Sequence, residues 1–331
     1  MEAFITHHSA LEFWRLQQRS QGDCSYSPSR KRPPEASLSP AFLKNGENWG
    51  LSLPLDIMLR AKEARRSSKH IRPHVCSKVL PDNCFVNAGG GLYVSTPEFC
   101  FFQLASEYPL AKLIELGFEL CGSYSLPAAE ASNGDVDTAE ETRYGLLNLT
   151  TKRKLLAFAH HMKGEPGYRT TIKALQHVVE NSASPMETIL TMLLTLPYRL
   201  GGYGLAAPKL DSPLGIKGAN KRNLRREYRC DLFWPKAGFA VEYDSTLFHS
   251  GTEKLSADSI RRSDLALSGK EVLSVTKNQV YLIEEFDRVA KVVAGKLNKR
   301  LRYKNPQFSK AQGELRRQLL QQSKVSRRTN E

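Results

Sequence analysis

Three carboxylates lie close together in one short stretch of the chain. Asp231 lies in a run of apolar and aromatic residues, and Glu242 and Asp244 end the next such run. If these runs are two strands joined by a tight turn, the three carboxylates meet at one edge of a sheet. Carboxylates gathered in this way either bind a hard cation such as Mg²⁺ or repel one another at an energetic cost. This stretch is therefore the candidate site for chemistry.

Basic residues are concentrated near these carboxylates and at the C-terminus. Lys217–Arg229 contains 6 Lys/Arg and one Glu, and Phe286–Glu331 contains 13 Lys/Arg and 3 Asp/Glu. Such segregated charge indicates a polyanionic partner such as DNA. For the C-terminal basic residues, the alternative is a solvated helical tail with no such partner. For Asp231 and Glu242, the alternative to a metal site is pairing with the nearby arginines Arg225, Arg226 or Arg229.

The flanking sequence predicts the elements that position the carboxylates. Ser184, Pro185 and Glu187 have the spacing of an N-cap, a first-turn proline and a capping-box glutamate. Glu187 is therefore either a helix cap alone or a cap that also faces the site. The strands are predicted at Arg229–Phe233, Ala240–Asp244 and Val272–Thr276, and a helix at Ser256–Ser268. This order predicts a small mixed α/β domain.

The N-terminal half predicts helices and one hairpin. Three consecutive glycines separate the strand-like runs Cys84–Asn87 and Leu92–Ser95, and Thr96 and Pro97 then begin a helix. Other helices are expected within residues 1–20 and at Leu51–Arg66, Leu110–Leu120, Lys152–Met162 and Tyr168–Asn181.

Composition excludes several classes of protein. The 331 residues, 40% of them hydrophobic, are enough for two or three domains. No apolar run is long enough to cross a membrane, and the N-terminus lacks the pattern of a signal peptide. The six cysteines lack metal-site spacing and suit reduced, buried thiols, so we expect a cytoplasmic protein without a structural zinc. The adjacent pairs His7–His8 and His160–His161 are interpreted as surface or satisfied histidines, because neighbours on a helix point apart.

The acidic stretch and the elements around it resemble, in their order along the chain, the PD-(D/E)xK restriction-endonuclease-like superfamily, in the branch of the very-short-patch-repair endonucleases. The resemblance covers about residues 184–285. Its motifs are R-x-D-x-x-W-P at Arg229–Pro235, V-E-Y-D at Val241–Asp244, His249, and D-x-x-R-R-x-x-L-x-x-x-G-x-x-V-L-x-V-T at Asp258–Thr276.

This resemblance implies a fold and a set of site residues. Asp231, Glu242 and Asp244 would bind Mg²⁺ or Mn²⁺, and Glu187 and His249 would complete the catalytic set. The residues expected to contact DNA are Arg229, Arg261 and Arg262 of the matched motifs, with Arg225 and Arg226 of the basic segment beside them.

The sequence departs from the family pattern at two positions. Asp244 stands where many relatives have Lys, and Ser245 where they usually have Gly. Either Lys270 or His249 takes the role of the lysine, or the site does not cleave.

A second resemblance concerns the middle of the chain. Residues 89–98 are similar to the segment that precedes such domains in AbiEi-like abortive-infection antitoxins. We expect an N-terminal segment and linker at 1–48, an AbiEi-like α/β domain at 49–145, the restriction-endonuclease-like domain at 146–285 and a basic helical tail at 286–331. The overall class is α+β: a mixed sheet flanked by helices, preceded by a mainly helical domain with a small β element.

Two functions from different classes follow from these resemblances. The first is a metal-dependent DNA endonuclease acting in phage defence or DNA repair. The second is a non-catalytic DNA-binding antitoxin or regulator, with a cognate toxin or a second copy of the chain as its partner.

Overall fold

The fold was derived from a computed structural model of the 331-residue chain, which forms two compact units. Unit 1 comprises Met1–Val178 and unit 2 comprises Val179–Glu331. The structure describes residues 2–20, 26–35, 49–61, 67–76, 80–128, 142–216, 226–244, 269–301 and 306–320, with only the backbone for 214–216 and 226–228.

Unit 1 contains a six-stranded mixed sheet in the order β2-β5-β6-β1-β3-β4. Strand β1 lies in the middle, parallel to β6 and antiparallel to β3, and β3 runs parallel to β4. A separate antiparallel pair joins β7 to β8. The strands are β1 Ala3–Ile5, β2 Pro28–Ser29, β3 Leu55–Leu59, β4 Ile71–Val75, β5 Phe85–Gly89, β6 Leu92–Ser95, β7 Tyr124–Ser125 and β8 Arg143–Tyr144.

This sheet corrects two sequence predictions. The amphipathic helix expected at Leu51–Arg66 is wrong, because Leu55–Leu59 is a strand. All five residues of that strand are buried, and a strand buried on both faces has no alternation to distinguish it from a helix. The domain before the nuclease-like region is therefore not mainly helical. The N-terminal segment expected at residues 1–48 also contributes to this sheet, because Ala3–Ile5 forms one of its central strands.

Aromatic side chains pack around the short central strand β1. The Phe4 ring is fully buried, stacks on Tyr93 at 4.8 Å between centroids and meets Phe85 edge-on at 5.0 Å. Burying a phenylalanine side chain contributes about 1.5–3 kcal/mol from transfer alone. The sheet of unit 1 therefore depends on the first few residues of the chain.

The helices of unit 1 largely follow the sequence predictions. Thr96 Oγ1 accepts the N–H of Phe99, which caps α2 as predicted, and the helix at Leu110–Leu120 is confirmed. The bounds are α1 His7–Arg19, α2 Pro97–Leu104, α3 Leu110–Leu120, α4 Lys152–His161 and α5 Tyr168–Leu175. Helix α4 packs on α2, and α5 on α3 and α4. These contacts place residues 146–178 in unit 1, whereas the sequence analysis assigned them to the nuclease-like domain.

Unit 2 contains a four-stranded sheet in the order β12-β11-β10-β9. Strands β9, β10 and β11 are antiparallel neighbours, and β12 runs parallel to β11. The strands are β9 Lys209–Ile216, β10 Arg226–Trp234, β11 Phe239–Asp244 and β12 Glu271–Thr276. The helices are α6 Pro185–Thr195, α7 Lys277–Tyr281, α8 Ile283–Lys296 and α9 Pro306–Leu320. A 3₁₀ turn, Tyr198–Leu200, follows α6.

The strands and the leading helix predicted for the C-terminal third are confirmed. Ser184 Oγ accepts the Glu187 N–H at 3.1 Å, as expected of the N-cap of α6. Strand β9 was not predicted, and the helix expected at Ser256–Ser268 lies outside the described residues. The class is therefore mixed α+β. Within the described part of the chain, no helix is both long and apolar enough to cross a lipid bilayer.

Candidate functional site

Strand register places the three predicted carboxylates of unit 2 on one face of the sheet. Strands β10 and β11 pair antiparallel with Leu232 opposite Val241, so one further step brings Asp231 opposite Glu242. Directly opposed residues of such a pair present their side chains on the same face. Asp244 lies two residues beyond Glu242 and shares that face. Because Asp231 lies inside β10 rather than at its end, the register and not the turn aligns the carboxylates.

The Asp231 side chain is fixed against the backbone of the neighbouring strand. Its Oδ2 accepts the Tyr243 N–H at 2.7 Å, beside Glu242. Asp231, Glu242 and Asp244 are all half-buried. A half-buried carboxylate that accepts a backbone N–H is oriented in advance, and this gives the face a fixed acidic group.

Glu187 joins this acidic face from helix α6, which packs against β10. Its Oε2 accepts the N–H of Ala183 at 2.9 Å, one residue before the N-cap Ser184, whereas a capping box would use the N–H of the N-cap itself. Burial and, next, the negative charge of Asp231 raise the pKa of the Glu187 carboxyl to about 7. Glu187 thus fixes the chain that enters α6 and also lies close enough to Asp231 for the two charges to interact.

Asp211 is a further acidic residue near Asp231, and it was not predicted from the sequence. On β9, Ser212 lies opposite Cys230 and Leu210 opposite Leu232, so Asp211 faces Asp231. Its backbone has a φ of 42°, in the left-handed region. The sequence carried no signal for Asp211, because β9 itself was not predicted.

Arg229 forms an ion pair with Asp211, although its side chain is also exposed to solvent. Its guanidinium forms a two-pronged ion pair with both carboxylate oxygens of Asp211. An arginine–carboxylate fork of this kind is geometrically specific. Arg229 therefore contributes positive charge to the edge of the acidic face while it also holds Asp211 in place.

Lys270 lies toward the other end of the sheet from Glu242 and Asp244. It immediately precedes β12, which runs parallel to β11 with Ser274 beside Glu242 and Thr276 beside Asp244. Lys270 therefore lies four residues back from the level of Glu242, about 13 Å along the strand. This separation exceeds the reach at which its ammonium could orient a water molecule bound at the carboxylates.

The remaining predicted site residues are not described at the level of side chains. Arg226 belongs to β10 and lies opposite Ile216, but only its backbone is described. Four more lie outside the described residues: Arg225, His249, Arg261 and Arg262.

The acidic face suits a hard cation in its donor chemistry but is not a closed cage. All of its donors are carboxylate oxygens, the ligands that Mg²⁺ prefers. The pKa of Glu187 is raised first by burial and then by the charge of Asp231, and a bound cation would offset the second of these. Among the described residues, a group of three ligand atoms within 4.8 Å of one another occurs only elsewhere, in unit 1. An ion here would therefore keep several waters and bind through one or two carboxylates, as Mg²⁺ often does.

Comparison with protein-family models, with curated proteins and with solved structures gave no match for this chain.

Unit 1 contains a second polar cluster, which includes the adjacent histidines His7 and His8. His7 is buried, with 8% of its surface exposed, and its ring stacks on that of His74 at 3.6 Å between centroids. His7 Nε2 lies 3.6 Å from Glu107 Oε1, and His8 Nε2 lies 2.9 Å from Glu107 Oε2. Of the two alternatives considered from the sequence, surface or satisfied histidines, the second applies to His7 and His8, because both rings lie beside the Glu107 carboxylate from a distant part of the chain.

Proposed function

We propose that unit 2 is a metal-dependent nuclease domain that hydrolyses phosphodiester bonds in DNA. The observation that carries this proposal is the strand register that sets Asp231 across from Glu242, together with the buried Glu187 carboxyl of helix α6, whose pKa is raised by burial and by the negative charge of Asp231. A carboxyl perturbed by burial and by a specific charged neighbour is typical of functional sites. The motif resemblance at Arg229–Asp244 supports the same reaction class.

In this proposal Asp231 and Glu242 hold the ion, and Asp244 and Glu187 bind its waters. A bound Mg²⁺ or Mn²⁺ would neutralise charge on the scissile phosphate and lower the pKa of an attacking water. The Tyr243 N–H fixes one oxygen of Asp231, so that carboxylate is oriented before any ligand arrives. Glu187, with its pKa near 7, releases its proton when positive charge is bound beside Asp231.

Exposed cations at the C-terminus support DNA as the substrate. Five of the basic residues there are engaged within the chain: Arg288, Lys296, Lys299, Arg316 and Arg317. Lys291, Arg300 and Lys310 are exposed on and beside helices α8 and α9. Cations of this kind contact phosphates without regard to base sequence.

A plasmid-cleavage experiment tests the nuclease proposal. Purified protein is incubated with supercoiled plasmid and Mg²⁺ or Mn²⁺, alongside Asp231→Ala and Glu242→Ala. We expect the wild type to nick or linearise the plasmid, and each variant to lose at least about a hundredfold in rate, the scale of removing one essential catalytic group. Glu284→Gln, an exposed helix residue of the same unit, serves as the matched control and should cleave as the wild type does.

The second candidate is a DNA-binding regulator that uses the same fold without catalysis. It is favoured by Asp244 at the expected lysine position and by the distance of Lys270 from the carboxylates. In that case the wild type binds DNA in a salt-dependent way, cuts nothing with either metal, and binds equally well after Asp231→Ala. That combination contradicts the nuclease proposal and supports a role such as an antitoxin or repressor.

A further inference from the structure

Three potential metal ligands from separate elements meet in unit 1. The group is His7 at the start of α1, His74 on β4 and Glu107 after α2, and their ligand atoms all lie within 4.8 Å of one another. His7 is buried, His74 is partly buried and the Glu107 side chain is 34% exposed. Two imidazoles and one carboxylate form a ligand set that holds Zn²⁺ in catalytic sites and Fe²⁺ in oxygen-using ones.

Each of these three side chains is oriented by a further polar group. His74 Nε2 lies 2.7 Å from Oδ1 of Asp56, a carboxylate that is 1% exposed. His7 Nδ1 lies 2.9 Å from Thr6 Oγ1, which leaves Nε2 directed at Glu107. An imidazole held by a carboxylate through one nitrogen, with the other nitrogen on the metal, is the usual outer arrangement of a metal site.

The Glu107 carboxylate is oriented in the same way. Its Oε2 lies 2.9 Å from His8 Nε2, and the other nitrogen of His8 is 3.3 Å from the Tyr108 hydroxyl. Its Oε1 faces His7. One oxygen is thus directed into the group while the second is fixed from outside.

The backbone at His7 is held in an uncommon conformation. Its φ of 48° lies in the left-handed region, which costs a residue with a side chain on the order of 1 kcal/mol. The His7 N–H donates to Gln103 Oε1 at 3.3 Å, and Cys100 Sγ lies 3.3 Å from the His7 carbonyl oxygen. Two side chains of helix α2 therefore contact the His7 backbone, and strained backbone of this kind is concentrated at functional sites.

We propose that His7, His74 and Glu107 bind one Zn²⁺ ion, with its remaining position open to water. The two rings lie nearly parallel, at 17°, so their in-plane lone pairs run side by side. Binding requires one ring to tilt until both lone pairs converge on the ion. His74 can do so, because its side chain is 20% exposed, whereas His7 is enclosed.

Calorimetric titration of the EDTA-stripped full chain with Zn²⁺ tests this site. We expect one tight equivalent for the wild type and a loss of at least a hundredfold in affinity for His74→Gln, which fills the same space and can still donate to Asp56. Glu107→Gln should lose about as much. Asp56→Asn should lose about ten- to a hundredfold, the usual cost of an outer partner. Circular dichroism confirms that each variant is folded.

Two controls separate this site from surface histidines and from the acidic face of unit 2. The double variant His160→Ala/His161→Ala removes an exposed pair and should leave the tight equivalent unchanged. Asp231→Ala should also leave it unchanged, so failure of the nuclease proposal would not affect this one. A tight Zn²⁺ equivalent that survives His74→Gln, or no tight equivalent in the wild type, overturns the proposal.

Discussion

Glu187 illustrates at the residue scale how one side chain can stabilise a helix and still be costly when ionised. Its Oε2 accepts the Ala183 N–H just before α6, while burial and Asp231 raise the pKa of its carboxyl from 4.5 to about 7. A raised pKa means that the folded state binds the proton more tightly than the unfolded state. Without metal, Glu187 therefore makes folding less favourable as the pH rises from about 4.5 to about 7.

The variant Glu187→Gln tests this pH dependence in metal-free protein. Unfolding by urea in EDTA is measured through hydrogen exchange of peptides from β10 and β11. The free energy of unfolding of the wild type should fall by about 1–3 kcal/mol between pH 5 and pH 8. The variant should lose much less, because its side chain does not ionise. Glu284→Gln should keep the wild-type dependence. Equal pH dependence in the wild type and Glu187→Gln would show that the pKa of Glu187 is not raised.

Adding Mg²⁺ at pH 8 should change this comparison in a defined direction. If the ion binds beside Asp231, it relieves the repulsion and stabilises the wild type by RT ln(1 + [L]/Kd), about 2.7 kcal/mol at a hundredfold excess over Kd. Asp231→Ala should show no such stabilisation. Stabilisation of both proteins to the same extent would assign the effect to other sites.

At the scale of elements, helix α9 reaches the rest of unit 2 through a glycine-dependent contact. Gly201 follows the 3₁₀ turn with a φ of 87°, and a Cβ there would lie 2.3 Å from the Ala311 carbonyl oxygen of α9. The helix is further held by Arg316, which donates to the Val280 carbonyl, and by Gln312, whose Nε2 donates to the Tyr203 hydroxyl at 2.7 Å. The tail helix is thus part of the fold of unit 2.

A pair of glycine substitutions tests the docking of α9. Gly201→Ala should destabilise the docked helix by about 1–3 kcal/mol, from the left-handed backbone and the clash with Ala311. Gly313→Ala, within α9 and with nothing inside 4 Å of the added Cβ, should instead stabilise it by about 0.5–1 kcal/mol. Hydrogen exchange of the α9 amides measures both changes. Slower exchange in Gly201→Ala would contradict the contact.

At the scale of the whole molecule, the net charge of +14 favours nucleic acid as a partner. The positions of the basic residues determine which of them are exposed and able to contact phosphates. Several tail cations are used inside unit 2, whereas Lys291, Arg300 and Lys310 are exposed. Exposed cations also occur in unit 1, among them Arg153, Lys154 and Lys173. Comparing the two sets separates a defined DNA-binding surface from a general electrostatic attraction.

Salt-dependent DNA binding of two triple variants makes this comparison. Lys291→Ala/Arg300→Ala/Lys310→Ala should reduce the slope of log K against log[salt] by about 2–3, since each lost phosphate contact removes about 0.9. The variant Arg153→Ala/Lys154→Ala/Lys173→Ala changes the net charge equally and should leave the slope nearly unchanged. Equal reductions in both variants would show that the tail surface has no special role.

Features that arise within a few residues could be predicted from the amino-acid sequence. The caps at Thr96 and Ser184 and the paired strands that hold Asp231 and Glu242 were predicted because a cap is set within one helical turn and a hairpin by the residues at its turn. These local rules were enough to place a candidate site in unit 2. They also gave the mixed α+β class.

Which distant residues lie together became clear from the folded chain alone. Asp211 beside Asp231, Glu187 over the same face, and His7 with His74 and Glu107 all depend on the register and packing of segments far apart in the chain. The strand Leu55–Leu59 was missed because burial on both faces removes the alternation that marks a strand. Side-chain contacts between distant segments leave no local pattern, and for this reason the polar cluster of unit 1 was found only in the folded chain.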